Sequence, residues 1–337
     1  MVLNYFIRHN LTQQGLVDLL SMLNVIFGVK QLPERFKSFN SAVSRDTGVA
    51  RTYFCSTCKA VIGKSTPTSS FICNVEDCGG KQADFFITIP MRRQIEELLS
   101  KYKHEIESYS QRMVDEGISD VTNAKKVREL EQKELGRIVT LSVNTDGAAA
   151  YKWSSNKPCY PIFVAVNNLP PRLRFDKNNL ILTGIWLSQG EPYIPLFFKD
   201  FSEEARVLGN GVLMNGVWTK LYVVQCCADS VARPKLQNVK QYNGKYGCSY
   251  CLQEGTVLKG SKQIKYPFQE TIKRNVTDTR KSMVEAHNTD TPQYGIKGLS
   301  IFMTIPYFDV VNGFPPDYMH GALLGVTRQL WELFSNQ

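Results

Sequence analysis

The first periodic signal along the chain is helical. Leu16, Leu19, Leu20, Leu23, Ile26 and Phe27 recur at three- and four-residue intervals, so they share one face of a helix. Thr12 is placed to cap its start and Gly28 to stop it. The stripe reads as packed core. Residues 51–80 lose this period and carry paired cysteines, Gly79-Gly80 and Ser/Thr-rich links. A second stripe of Ile95, Leu98, Leu99, Tyr102, Ile106, Tyr109 and Met113 predicts a helix over 93–116. Glu96, Glu97, Lys101, Lys103 and Glu107 fall on its other face, as on a surface or linker helix. Asp120 to Leu135 is polar and reads as a connector.

The period changes at Ile138. Residues 138–143 (IVTLSV) are short, β-branched and apolar, and run into the turn-like Asn144-Thr145-Asp146-Gly147. Residues 161–166 and 180–187 predict two more strands, and Val217 to Cys227 a fourth that ends at Ala228-Asp229. Glu203 to Leu208 predicts a short helix between them. Strands alternating with helices place an α/β domain from 138 onward. The expected division is a helical leader (1–50), a cysteine module (51–90), a helical connector (91–137) and the α/β core (138–337).

Composition sharpens this picture. Hydrophobic content of 43% and charged content of 21% are those of a globular protein. No apolar run reaches the roughly 18–20 residues that span a bilayer. Arg8 and His9 interrupt the place where a signal peptide needs its apolar stretch. A soluble, intracellular protein is expected, without a membrane partner. The formal charge is +9, and +7 of it falls between Asp229 and Lys281, where eleven Lys/Arg face four Asp/Glu. That concentration suits a polyanion, or else marks a solvated lysine-rich loop.

Nine cysteines in an intracellular chain point to thiols or metal rather than disulfides. Cys55-x2-Cys58-x14-Cys73-x4-Cys78 offers two close pairs separated by a loop, the spacing of a tetrahedral zinc ribbon. Such a module folds with its metal and can bind DNA, bind protein or brace its neighbours. Cys248 and Cys251 form a second CxxC, which supplies two thiolates where zinc wants four ligands. Of the four histidines, His320, 69 residues further on, is the candidate to complete it and His287 a spare.

Asp146 and Asp229 each follow a strand. A strand end fixes the direction of a carboxylate and leaves room for a phosphate. Phosphoryl transfer on DNA commonly uses two cations about 3.5–4 Å apart, flanked by such carboxylates. Asp also favours the turns that follow strands, so position alone leaves both readings open.

Several blocks then resemble one family. VNTDG with the following PIFVAVNNLPPRLRF, NLILTGIW, CCADSVARPKL, NGKYGCSYC and DYMHGALLGV are similar, in this order, to the transposases of CACTA-type elements (the CMC superfamily). Residues 1–90 resemble the helical, zinc-bearing leader of such proteins. The resemblance implies an RNase H-like mixed sheet preceded by the zinc ribbon and helical segments. It implies that Asp146 and Asp229 are the first two catalytic aspartates, binding Mg2+. Cys248 and Cys251 match a cysteine pair that shares zinc with later histidines. Asp317-x-x-His320 matches the [C/D]xxH signature, making His320 the third zinc ligand and Asp317 its positioner. Arg233, Lys235, Lys240 and Lys245, interleaved with Tyr242, Tyr246 and Tyr250, would face phosphates and bases.

The implied activity is metal-dependent DNA strand cleavage and transfer in the nucleus. The implied partners are double-stranded DNA at element ends and a homo-oligomer, with no small-molecule substrate. The family also needs a third carboxylate, a glutamate downstream of DxxH. Glu332 is the acid that follows, and QLWELF around it fits an ordinary amphipathic helix. An incomplete catalytic set is therefore expected, and a non-catalytic DNA- or chromatin-binding zinc protein is the competing reading.

Overall fold

The computed structural model describes residues 12–28, 32–35, 38, 48–65, 67, 71–112, 120–151, 154–188, 190–258, 260 and 263–335. Arg8, His9 and Met113 lie outside them. The chain forms two compact units, Met1–Val49 and Ala50–Gln337. Among the described residues no helix is long and apolar enough to cross a membrane.

The first unit holds helix α1 (Gln13–Phe27). The Thr12 hydroxyl accepts from the Gly15 amide at 3.0 Å, and Gly28 ends the helix in the left-handed region at φ 62°. These are the two termini the sequence placed. Leu16 and Leu20 are fully buried, whereas Ile26 at the end of the stripe is exposed.

Among its described residues the second unit is a mixed α/β structure around one nine-stranded, curled sheet. Its strands are β1 (Ala50–Cys55), β2 (Val61–Gly63), β3 (Ala83–Thr88), β4 (Arg137–Thr145), β5 (Ala148–Tyr151), β6 (Ser154–Val166), β7 (Ile181–Leu187), β8 (Val212–Met214) and β9 (Val217–Cys227). They lie in the order β2-β1-β3-β7-β6-β4-β9-β8, with β5 on β6. Every pairing is antiparallel except β4 with β9, which is parallel. The cysteine segment is built into this sheet, since β3 pairs with β7 from Phe85↔Leu187 to Thr88↔Gly184.

Both faces of β4 are buried, which is why its sequence reads as a continuous apolar run. Val139, Leu141 and Val143 enter the main core, while Ile138 packs with Tyr222 and Leu130 on the other face. The main core is strongly aromatic. Phe54 of β1 stacks on Trp186 of β7 at 4.4 Å, Trp186 meets Phe86 and Phe197, and the chain of rings continues through Phe198 and Phe302 to Phe314.

The helix predicted over 93–116 is two, α2 (Arg92–Lys101) and α3 (Lys103–Arg112). They break at Tyr102, which leaves helical geometry at φ −114°, ψ 31° and whose hydroxyl reaches Asn179 at 3.2 Å. Within the polar connector, α4 (Lys125–Lys133) buries Val127 and Leu130. The short helix expected at Glu203 starts earlier, as α5 (Lys199–Gly209), because Phe201 adds a buried turn. Glu204 on α5 caps α2 from a distance, accepting from the amides of Met91 and Arg92 at 3.0 Å. Helix α6 (Ala232–Gln237) follows β9, and α7 (Val276–Thr289) follows a small hairpin of β10 (Thr256–Val257) and β11 (Ile264–Lys265). The last described segment is π-helical over Tyr318–Thr327 and continues as α8 (Arg328–Ser335).

Candidate functional site

Two places gather the chemistry that the sequence singled out. The first is the cysteine cluster. Cys55 ends β1, Cys58 follows in the turn, and Cys73 and Cys78 flank the turn before β3. The Sγ atoms of Cys55 and Cys78 stand 3.7 Å apart and those of Cys58 and Cys73 3.6 Å apart. All four lie within 4.8 Å of one another. A tetrahedron of sulfurs at the usual Zn–S length of about 2.3 Å has edges of about 3.8 Å, so the cluster is able to hold a metal such as zinc.

Its electrostatics are uneven. Burial opposes ionisation of Cys55, but the Cys58 and Thr57 amides and the neighbouring thiols bring it down to about 6. At Cys73 the Val75 amide favours the thiolate, yet burial and the other three sulfurs push it up to about 12. Gly80 makes the geometry possible, for a Cβ there would lie 2.6 Å from the Cys55 sulfur.

The second place is a cavity of about 180 Å³ at the ends of β4 and β9. Asn144 pairs with Cys227 in the parallel ladder, and Asp146 and Asp229 each stand two residues past that pair. Both aspartates line the cavity, with Gly147, Tyr160, Glu191 and Lys235. Asp229 is oriented by its own turn, with Oδ1 accepting from the amides of Val231 at 2.9 Å and Ala232 at 2.5 Å. Gly147 allows the Tyr160 ring to close over the turn, since a Cβ there would stand 2.7 Å from Cε1. Burial, then the charges of Glu191 and Asp146, pushes the Tyr160 phenol up. Glu191 forms an ion pair with Lys235 at 2.6 Å. The sequence reading missed Glu191; it sits in a Gly-Glu-Pro loop with no pattern to mark it.

The DxxH block is carried to the same end of the sheet. The Cys226 amide donates to the Gly313 carbonyl at 2.7 Å, tying the end of β9 to the strand of chain that leads into the block. Asp317 caps the π-helical segment through the amides of Met319 and His320, and its Oδ2 meets His320 Nδ1 at 2.6 Å. That bond, the largest cause, raises the His320 imidazole above its ordinary value; desolvation opposes it, and the charges of Asp317, Asp146 and Asp229 add to it.

Cys248 and Cys251 sit side by side, with burial and the neighbouring thiol pushing Cys251 up. Arg274 Nε donates to both of their carbonyls at 3.1 Å. Among the described residues, the Cys55 cluster alone brings three or more ligating side chains within 4.8 Å, so neither His320 nor His287 closes on this pair. His287 lies exposed in the last turn of α7.

The basic residues divide. Arg233 and Lys235 share α6 beside Asp229, and Arg233 donates to the Tyr250 hydroxyl at 2.9 Å while lying over that ring. Lys245 pairs with Glu254 at 2.7 Å, and Lys240 is exposed. Tyr242 is exposed, whereas Tyr246 and Tyr250 bond to Glu254 and the Phe314 carbonyl. Glu332 pairs with Arg328 one turn earlier on α8. No protein-family model and no curated protein matches the chain.

Proposed function

We propose that this protein is a relative of CACTA-type transposases, with an RNase H-like core that handles DNA phosphodiesters through a divalent cation. The observation that carries the reading is the pairing of Asp146 and Asp229 at matching positions past two adjacent parallel strands, in one cavity. The order β7-β6-β4-β9, an antiparallel meander joined to one parallel strand, supports an RNase H-like assignment. So does the sequence resemblance.

The donor set suits a hard divalent cation. The cavity lining carries three carboxylates against one ammonium, a net −2 before any cation enters. In a two-cation arrangement, one bound ion would activate the attacking oxygen and the other would stabilise the leaving one. Asp146 and Asp229 would hold the cation from rigid strand ends. Asp229 Oδ1 accepts from the Val231 and Ala232 amides, so its other oxygen would be the one free to hold the cation. Arg233, Lys235 and Lys240 supply positive charge on α6 and just beyond for the DNA backbone. In the same reading the four-cysteine cluster is a zinc ribbon, and β1–β3 brace the far edge of the sheet. Its implied place of action is the nucleus.

The test is nicking of supercoiled DNA in Mg2+ or Mn2+ by the parent, Asp146→Ala and Asp229→Ala. Cation-dependent nicking lost in both variants is the expected result. Equal nicking by parent and variants removes the catalytic assignment. DNA binding without cutting by any of the three favours the non-catalytic DNA-binding reading.

A further inference from the structure

The Glu191–Lys235 ion pair stands out by where it lies rather than by what it stabilises. Its side chains are 59% and 33% exposed, so it contributes little to the fold, unlike the buried Arg174–Asp120 fork. Yet among the described residues it is the ion pair whose two members both line the cavity of Asp146 and Asp229. Buried structure places each of them there. Trp186, fully buried, donates its indole N–H to the Gly190 carbonyl at 3.3 Å and pins the turn before Glu191. Pro192 and Ile194 continue the cavity wall and lead into the turn of helix that buries Phe197. Lys235 lies on α6, which begins at the Asp229 turn and sends Leu236 into the main core.

A carboxylate and a phosphodiester offer an ammonium the same acceptor, a charged oxygen at hydrogen-bond distance. Once a cation neutralises the two aspartates, Lys235 is the positive side chain in the lining, and Glu191 is what holds it at 2.6 Å. We propose that Glu191 is an internal placeholder for phosphate: it holds the Lys235 ammonium until a DNA phosphodiester enters the cavity and takes Lys235 from it. Lys235 then seats that phosphate beside Asp146 and Asp229. Glu191 acts through Lys235 and weakens DNA binding by the strength of the pair that has to open. The exchange swaps one charge-assisted bond for another between exposed groups, so it needs no rearrangement of the sheet. This rests on the DNA reading above.

The experiment measures binding of a short labelled duplex of arbitrary sequence to the full chain in Mg2+, by fluorescence anisotropy over a salt series. The parent is compared with Glu191→Gln, Lys235→Gln, the double variant and Lys235→Arg. Lys235→Gln should weaken binding and shallow the slope of log K against log salt by about 0.9, the share of one phosphate contact, and Lys235→Arg should restore the slope. Glu191→Gln should tighten binding and keep the parent's slope, because Lys235 no longer has a partner to leave. Removing a negative charge near DNA helps binding in any case, so the deciding quantity is the double-mutant cycle. The gain from Glu191→Gln should be about threefold larger with Lys235 present than in the Lys235→Gln background. Equal gains in the two backgrounds, or no gain, overturn the placeholder role and leave the DNA reading standing. A Lys235→Gln slope equal to the parent's removes Lys235 from the phosphate and overturns the inference as well. No binding by the parent or by Glu191→Gln overturns this inference and the DNA reading together.

Discussion

At the scale of single residues, the most consequential side chains off the cavity are Asp120 and Arg174. Arg174 is 4% exposed, and its guanidinium forks onto the Asp120 carboxylate at 2.8 and 2.5 Å. Tyr109 donates to the same carboxylate at 2.7 Å. Burial opposes the charge on Asp120, but Arg174 and Tyr109 outweigh it and hold the carboxyl below the usual range. Removing one partner of a buried pair strands the other charge, at a cost of about 3–5 kcal/mol. Asp120→Asn should lower the unfolding free energy read from urea denaturation by that amount at pH 7. Because the folded value is depressed, the stabilisation is complete above the unfolded value of about 3.9. It is lost as pH falls through the folded value. The difference between parent and variant should therefore shrink toward zero in strong acid, and a constant difference would point to packing instead.

At the scale of elements, the cysteine cluster and the sheet depend on each other. β1 and β3 carry Phe54 and Phe86 into the aromatic core, so the segment has apolar support beyond its metal ligands. The described residues between β1 and β3 have far less, with Ile62 of β2, Ile72 and Val75 all exposed. If the cluster binds zinc, chelation should release amide protection in β2 and the two turns while β4 and β9 stay protected. Hydrogen exchange on metal-loaded and chelated protein measures this, and uniform loss would make the zinc a global requirement. Gly80→Ala drives a methyl group toward the Cys55 sulfur, so zinc affinity by chelator competition should fall tenfold or more. Affinity should also fall below neutral pH. Cys73 must give up a proton to bind, and Cys55, at about 6, becomes protonated in acid.

For the whole molecule, the charge distribution sets how it meets a polyanion. The excess of +7 between Asp229 and Lys281 lies in the sequence that starts at the end of β9 and runs through α6. Lys235 and Lys245 are paired with carboxylates, and Lys240 is exposed at the end of α6. If this face binds DNA, log K should fall linearly with log salt, and Lys240→Ala should shallow the slope by about 0.9. An unchanged slope with weakened binding would remove Lys240 from the phosphate contacts.

What the sequence determined by itself was local. The cap and stop of α1 at Thr12 and Gly28, the strand ending at Cys227 and the four-cysteine spacing were legible because each depends on neighbours within a few turns of chain. Asp146 and Asp229 were legible as strand-end acids, yet nothing local says that β4 and β9 are adjacent and parallel. That pairing, between residues 82 or 83 positions apart, was decided by the core that Val143 and Val223 share. The break at Tyr102 was hidden because an unbroken apolar stripe does not register a tertiary bond to Asn179. Glu191 was invisible for the same reason: it comes from a segment with no periodicity, brought to the cavity by the fold. Side-chain periodicity encodes which face is buried, whereas a site is a meeting of faces, and only the folded chain fixes which faces meet.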